Sequence, residues 1–193
     1  NSYGISIRHC SYIRLTGWQG THDKYGIQVL ELTNDSAAGV SASNNSTDVE
    51  LDHLEIAHTG FAGIMAKTEP QCDDPLTLRP GGFIQRNTWI HHCFIHDTGG
   101  EGIYVGSTKF LGQQLQDCGL VFPTVLEGVK VYENRIERTG WDGIQVSSAI
   151  SDCKIYDNTL IDCSTEQYES QMSGIIIGGG TLSDCYNNLI KDC

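Results

Sequence analysis

The sequence predicts an all-β solenoid of stacked parallel strands. Three fragments can be written one under another: HLEIAHTGFAGIMAKT from His53, CFIHDTGGEGIYVGST from Cys93 and NRIERTGWDGIQVSSA from Asn134. They share the frame apolar–x–x–Thr–Gly–x–x–Gly–Ile–x–apolar, with Thr–Gly at 59–60, 98–99 and 139–140. Diverged copies open the chain (YIRLTGW, then YGIQVLEL) and close it (YDNTLIDC, SGIIIGG and YNNLIKDC). A fixed period of this length dictates architecture ahead of any other signal. Each unit holds short alternating apolar stretches and a Gly turn, and none has helical periodicity. Composition agrees: the 193 residues include 22 Gly and are only 19% charged, and the frequent β-branched residues favour strand over helix. No run approaches the roughly 18 apolar residues of a membrane span. The opening residues NSYGISIRHC carry no Met and no charged-then-apolar leader. The chain begins and ends inside repeats with no capping coil, so residues 1–193 are expected to be one domain within a longer chain.

Each element follows from the alternation of side chains along a strand. In Gly–Ile–x–Val the apolar pair points inward. The inward column is expected to be Ile27/Val29, Ile64/Ala66, Ile103/Val105, Ile144/Val146 and Ile175/Ile177, and the outward column Gln28, Met65, Tyr104, Gln145 and Ile176. A second strand reads Val49–Glu50–Leu51, Thr88–Trp89–Ile90 and Val129–Lys130–Val131. A third, very short, centres on Ile56, Ile95, Ile136 and Leu160. Three parallel strands per coil make a three-faced tube of about five to six coils. At the corner between second and third strands stand Cys93, Asn134, Asn158 and Asn188. Stacked Asn amides can bond along such a corner and satisfy its bent backbone. The extra residues of the long repeats, about 31–47, 68–87 and 107–127, fall on one edge, whereas 163–173 lies at another corner.

On the Thr–Gly–x–x–Gly–Ile frames and the Asn corner, the chain resembles a right-handed, single-stranded parallel β-helix of the pectate-lyase-like superfamily. The resemblance covers most of the chain and is specific for fold. It implies a secreted or cell-surface protein that engages polysaccharide or a cell-surface glycan, lyase-like if catalytic. That fold hosts many unrelated functions, so function must come from the site.

Loops stacked on one edge can wall a groove, although solenoids also tolerate insertions without function. Trp18, Phe61 and Trp141 follow Thr–Gly in their repeats, and Glu101 and Asp142 share the next position. Aromatic faces beside acids suit sugar rings and their hydroxyls. The competing reading is packing on a neighbouring turn. Trp18, Trp141, Gln145, Glu101 and Asp142 are therefore candidate substrate-binding residues.

The resemblance implies a Lys or Arg base in a lyase, often with calcium neutralising the sugar carboxylate. Lys67, expected to point outward next to Tyr104, is the best placed base, so Lys67 and Tyr104 are the catalytic candidates, with Arg79, Arg86 and Lys109 in the flanking insertions. Glu69, Asp73 and Asp74 are the candidate calcium ligands. The bland reading is a solvated surface Lys. Stacked Glu101 and Asp142 can divide acid and base roles as a hydrolase requires, yet the outward column lacks the carboxylates of such enzymes.

His91, His92 and His96 match no zinc spacing and read as surface or corner histidines, as do His22, His53 and His58. Among eight cysteines, Cys72 and Cys118 lie in same-edge insertions where a disulfide is plausible. Cys163 and Cys193 stack and can bond or remain thiols, and Cys93 reads as a small buried residue. The net charge of −12 excludes a nucleic-acid footprint. Polar sequons at Asn34, Asn44 and Asn45 sit in the first expected insertion. The leading expectation is an extracellular carbohydrate-engaging domain. The alternative is a non-catalytic stalk or adhesin segment, which a featureless outward face would favour.

Overall fold

Strands that alternate apolar and polar residues can bury one face only by pairing sideways with copies of themselves. The computed structural model describes residues 3–21, 24–32, 34–78 and 81–193 and does this in three parallel sheets of six strands each. The chain visits the sheets in turn six times, giving six coils of a parallel β-helix. The first sheet contains Tyr3–Arg8, Ala38–Ser43, Ile64–Ala66, Ile103–Val105, Ile144–Val146 and Ile175–Ile177. The second runs from Ser11–Thr16 and Thr47–Asp52 through Thr88–His91 to Ser183–Tyr186, and the third from Ile27–Leu32 to Leu189–Lys191.

Ile64, Ile103 and Ile144 stack in register and are fully buried. With Ile56, Ile95, Ile136, Leu51, Ile90 and Val131 they fill one continuous core along the tube. The frame's two conserved-looking positions have separate causes. Each Thr donates its hydroxyl two residues onward: Thr59 Oγ1 to Phe61 O (3.0 Å), Thr98 to Gly100 (2.9 Å) and Thr139 to Trp141 (2.6 Å). This satisfies the carbonyls of the turn from the third sheet to the first. The Gly before Ile is a matter of space. A Cβ on Gly102 would stand 2.6 Å from the Gly143 carbonyl and 2.6 Å from an Ile136 methyl.

The tube turns its corners with left-handed residues that are mostly not glycine. His53, His92, Glu133, Asp157 and Asn187 take φ of 53–55° between the second and third sheets. The residues that follow the last three, Asn134, Asn158 and Asn188, build a ladder. Asn134 Nδ2 donates to Asn158 Oδ1 (3.0 Å) and Asn158 Nδ2 to Asn188 Oδ1 (2.9 Å), and both amides also reach carbonyls of the preceding coil. Cys93 caps the ladder, buried, with its N–H on Asn134 Oδ1 at 3.1 Å.

The first coil corrects the sequence reading. Ile27 and Val29 belong to the third sheet, opposite Leu54 and Ile56, and Gln28 therefore leaves the outward column of the first sheet. The first-sheet strand of that region is Ala38–Ser43, whose Val40 pairs with Ile5 and Ile64. YGIQVLEL mimics Gly–Ile–x–Val, while AGVSAS is built of small residues that give almost no apolar contrast. The segment expected as the first edge loop thus contains Ala38–Ser43, a full strand of the tube. The third-sheet strands are also longer than expected, six residues at Leu54–Thr59 and five at Phe94–Thr98.

The other two edge insertions are real. The first carries a one-turn helix, Pro75–Leu78, and the second an antiparallel hairpin, Gln113–Leu115 with Gly119–Val121. Ile84–Arg86, Val125–Glu127 and Ala149–Ser151 pair as a small parallel sheet at that corner. A Cys72–Cys118 disulfide joins the insertions, Cα atoms 5.5 Å apart. Cys163 and Cys193 remain thiols, the Cys163 N–H meeting Cys193 Sγ at 3.3 Å.

Candidate functional site

Register alone places the site. On the outward side of the first sheet, Ser41, Met65, Tyr104, Gln145 and Ile176 stand one above the next. Beside this column, at the turn entering the sheet, Ala62, Glu101, Asp142 and Ser173 occupy equivalent positions in successive coils. Phe61 and Trp141 stand one residue earlier. Between them lies Gly100, where a Cβ would meet the Phe61 ring at 2.8 Å. The missing side chain lets the two rings meet edge-on at 5.6 Å across an intervening coil. Tyr168, from the insertion at 164–173, stacks on the other side of Trp141 at 4.7 Å.

Glu101 and Asp142 are buried, at 1% and 0% exposure. Burial raises Glu101 to about 7, with the charge of Asp142 adding to the rise and Lys67 opposing it. Burial raises Asp142 to about 6 against one bond from the Ser173 N–H at 2.8 Å. One oxygen of each carboxyl, Glu101 Oε2 and Asp142 Oδ2, meets no hydrogen-bond partner. Nearby Ser41 Oγ, Gln145 Oε1, Ser147 Oγ and Gln171 Oε1 are equally unmet. Buried polar atoms are normally satisfied by protein, water or ligand, so their concentration on one face marks it. Gln145, Ser147, Gln171, Ile176 and Gly179 line an adjoining cleft of about 240 Å³.

Lys67 and Tyr104 do meet: the ammonium lies 4.0 Å from the ring centroid and 2.8 Å from Glu69 Oε1. Burial opposes the Lys67 charge, but Tyr104 and Glu69 outweigh it and the pKa is raised. A catalytic base needs the opposite shift, so Lys67 is built as a fixed cation. Trp18 stands apart. Thr16 pairs with Asp52 in the second sheet, and the Trp18 ring lies edge-on to His53 at 4.7 Å. Thr16–Gly17 copies the frame in sequence but ends a different strand, so Trp18 does not join the Phe61–Trp141 row.

The expected calcium ligands do not converge. Glu69 is held by Lys67, and Asp74 accepts from Asn45 Nδ2 (2.6 Å) and the Leu76 N–H (3.0 Å). Asp73 is exposed, and with Asp74 lines a separate cleft shared with His9 and Asn45. Among the described residues, the group of three ligand atoms that does converge is Glu50, Asp52 and His91, on the second sheet. Sequence reasoning missed it because its members sit in different coils and form no local motif. The signal was Glu50–x–Asp52 on one strand face, with His91 one coil later. Arg79 and His22 lie outside the described residues. The two insertions enclose between themselves an apolar cleft of about 520 Å³ lined by Leu78, Phe83, Phe110 and Phe122, so they do not simply wall the polar face.

No protein-family model matches the chain, and no curated protein or solved structure matches it significantly. No helix among the described residues is long and apolar enough to cross a membrane. The molecule stands on its architecture: an all-β chain of stacked parallel strands wound as a parallel β-helix.

Proposed function

We propose that this chain is a carbohydrate-engaging β-helix of the pectate-lyase-like type that cleaves a glycan by acid–base chemistry at Glu101 and Asp142. The observation that carries the reading is the pair of buried carboxyls in adjacent coils, each with one unmet oxygen, beside Trp141 and a polar cleft. Burial raises both carboxyls, Glu101 to about 7 and Asp142 to about 6, so of the two Glu101 holds its proton more tightly. That division lets one carboxyl protonate a leaving oxygen while the other acts as base or nucleophile. Trp141 supplies a stacking face, and the Gln145 and Ser147 oxygens can meet sugar hydroxyls. Lys67, held charged, supplies a cation for an acidic sugar in place of the base role. Access requires the insertion at 164–173 to lift, because Ser173 and Tyr168 hold Asp142 and Trp141.

Full burial of both carboxyls favours the second reading, a non-catalytic stalk or adhesin segment. The Cys72–Cys118 disulfide supports an oxidising, extracellular setting for either. The test is a screen of neutral and uronic polysaccharides for reducing ends and for unsaturated product. Glu101→Gln and Asp142→Asn should each abolish cleavage, while Trp141→Ala weakens glycan binding. Unsaturated product lost only in Lys67→Ala would return the lyase mechanism. Binding without cleavage, unchanged in Glu101→Gln, would leave the stalk or adhesin reading.

A further inference from the structure

The second sheet carries on its outer face an arrangement that the glycan groove does not use. Glu50 and Asp52 point outward from one strand, and His91 from its neighbour in the next coil, where His91 pairs with Asp52. One ligand atom from each lies within 4.8 Å of the others. We propose that Glu50, Asp52 and His91 form a binding site for a divalent transition-metal ion of the zinc class.

Each ligand is already aimed. Asp52 is fully buried, and its Oδ1 is fixed by the Thr16 hydroxyl (2.6 Å) and by His53 Nδ1 (2.6 Å), leaving Oδ2 turned to the site. His91 lies with Tyr132 stacked on its ring at 4.5 Å and its Nε2 at 3.2 Å from Glu50 Oε1. Behind it, His91 Nδ1 faces His92 Nδ1 at 2.8 Å, and His92 Nε2 faces Glu133 Oε2 at 3.0 Å. A metal on His91 Nε2 gives this chain a consistent tautomer. His91 Nδ1–H then donates to His92 Nδ1, and His92 Nε2–H donates to Glu133. Such histidine-to-carboxylate relays orient metal-bound imidazoles and raise their basicity.

Two oxygens and one imidazole select zinc, cobalt or manganese over calcium, which takes six to eight oxygens. Three protein ligands leave at least one position open to water. In this structure a cation already stands between the carboxylates: Arg14 Nε, 3.0 Å from Asp52 Oδ2 and 3.2 Å from Glu50 Oε1. Its side chain is 55% exposed, so it can swing into solvent when a divalent ion enters. Arg14 is therefore a competitor for the site, and its removal is what separates the proposal from a surface ion-pair cluster.

The experiment is equilibrium dialysis of the whole chain against zinc, with metal analysis and circular dichroism, on wild type, Arg14→Ala, His91→Gln and Glu50→Gln. Wild type should take up one equivalent that His91→Gln and Glu50→Gln lose while keeping the β spectrum. Arg14→Ala should bind at least tenfold more tightly than wild type. Cobalt substitution should give d–d bands without a thiolate charge-transfer band, which sets the site apart from the free cysteines. Zinc uptake that survives His91→Gln, a thiolate band on the bound cobalt, or calcium bound as tightly as zinc would overturn the proposal. So would absence of uptake by both wild type and Arg14→Ala.

Discussion

Replacing Glu101 by Gln should change how stability depends on pH, and the size of the change follows from burial. In the unfolded chain Glu101 titrates at the ordinary 4.5, and in the fold at about 7. A raised carboxyl pKa means that the folded state holds the proton more tightly. Its contribution to stability is complete below pH 4.5 and is lost as pH rises toward 7. At 1.36 kcal/mol per pKa unit the gap corresponds to about 3 kcal/mol. Asp142, raised from 3.8 to about 6, adds a loss of similar size between those values. Wild type should therefore lose several kcal/mol between pH 4 and 8. Gln has nearly the same shape but no titration, so Glu101→Gln should lose about 3 kcal/mol less over that range. Its unpaired amide sets a constant offset, which makes the slope the readout. Urea unfolding at half-unit pH steps, with m-values checked for constancy, measures it. Parallel wild-type and variant curves would mean that Glu101 is ionised and solvated in the fold, and the groove would lose its acid.

Asn158→Ala should cost about 1–3 kcal/mol in the same unfolding assay, because the amides above and below it each lose a partner; a cost near zero would remove the ladder as a structural device. Ile144→Asp should leave the chain unfolded by circular dichroism, since it buries a charge in the core between Ile103 and Ile175. Trp141→Ala should weaken glycan binding without shifting the urea midpoint by more than about 2 kcal/mol, as the ring is only partly buried. Reducing Cys72–Cys118 should speed proteolysis within 68–87 and 107–127 while the β spectrum of the tube persists; collapse of that spectrum would show that the insertions hold the coils together.

The parts of the fold legible in the sequence are those where a residue type has a single physical use. Gly–Ile after Thr–Gly marks a close approach between coils followed by an inward strand, and Asn134, Asn158 and Asn188 mark a corner whose bent backbone their stacked amides satisfy. Ala38–Ser43 was illegible because Gly, Ala and Ser bury as readily as they face solvent. Ile27 and Val29 were misassigned because a two-residue apolar pair says which way it faces but not which of three sheets it joins. At the groove, equivalence of repeat positions found Glu101 beside Asp142 and Lys67 beside Tyr104. It did not show that the carboxyls are buried; over Asp142 and Trp141 part of the cover comes from 164–173, a loop at another corner. It also could not show that Lys67 is held charged, which depends on Tyr104 beside it and on Glu69 folding back upon it.

Because every strand of the tube bonds only to the coil before and the coil after, the molecule behaves as a one-dimensional chain of nearest-neighbour interactions. Stability is then close to a sum over the interfaces between coils, five among the described residues, and damage at one interface stays local. Among the described residues, the coils bearing Glu101 and Asp142 each have a neighbour on both sides. A chain cut between Glu101 and Asp142 should lose the pair outright. Coils stacked on both sides thus insulate this pair, and they can keep two buried carboxyls with an unmet oxygen each, which a small two-layer domain could not.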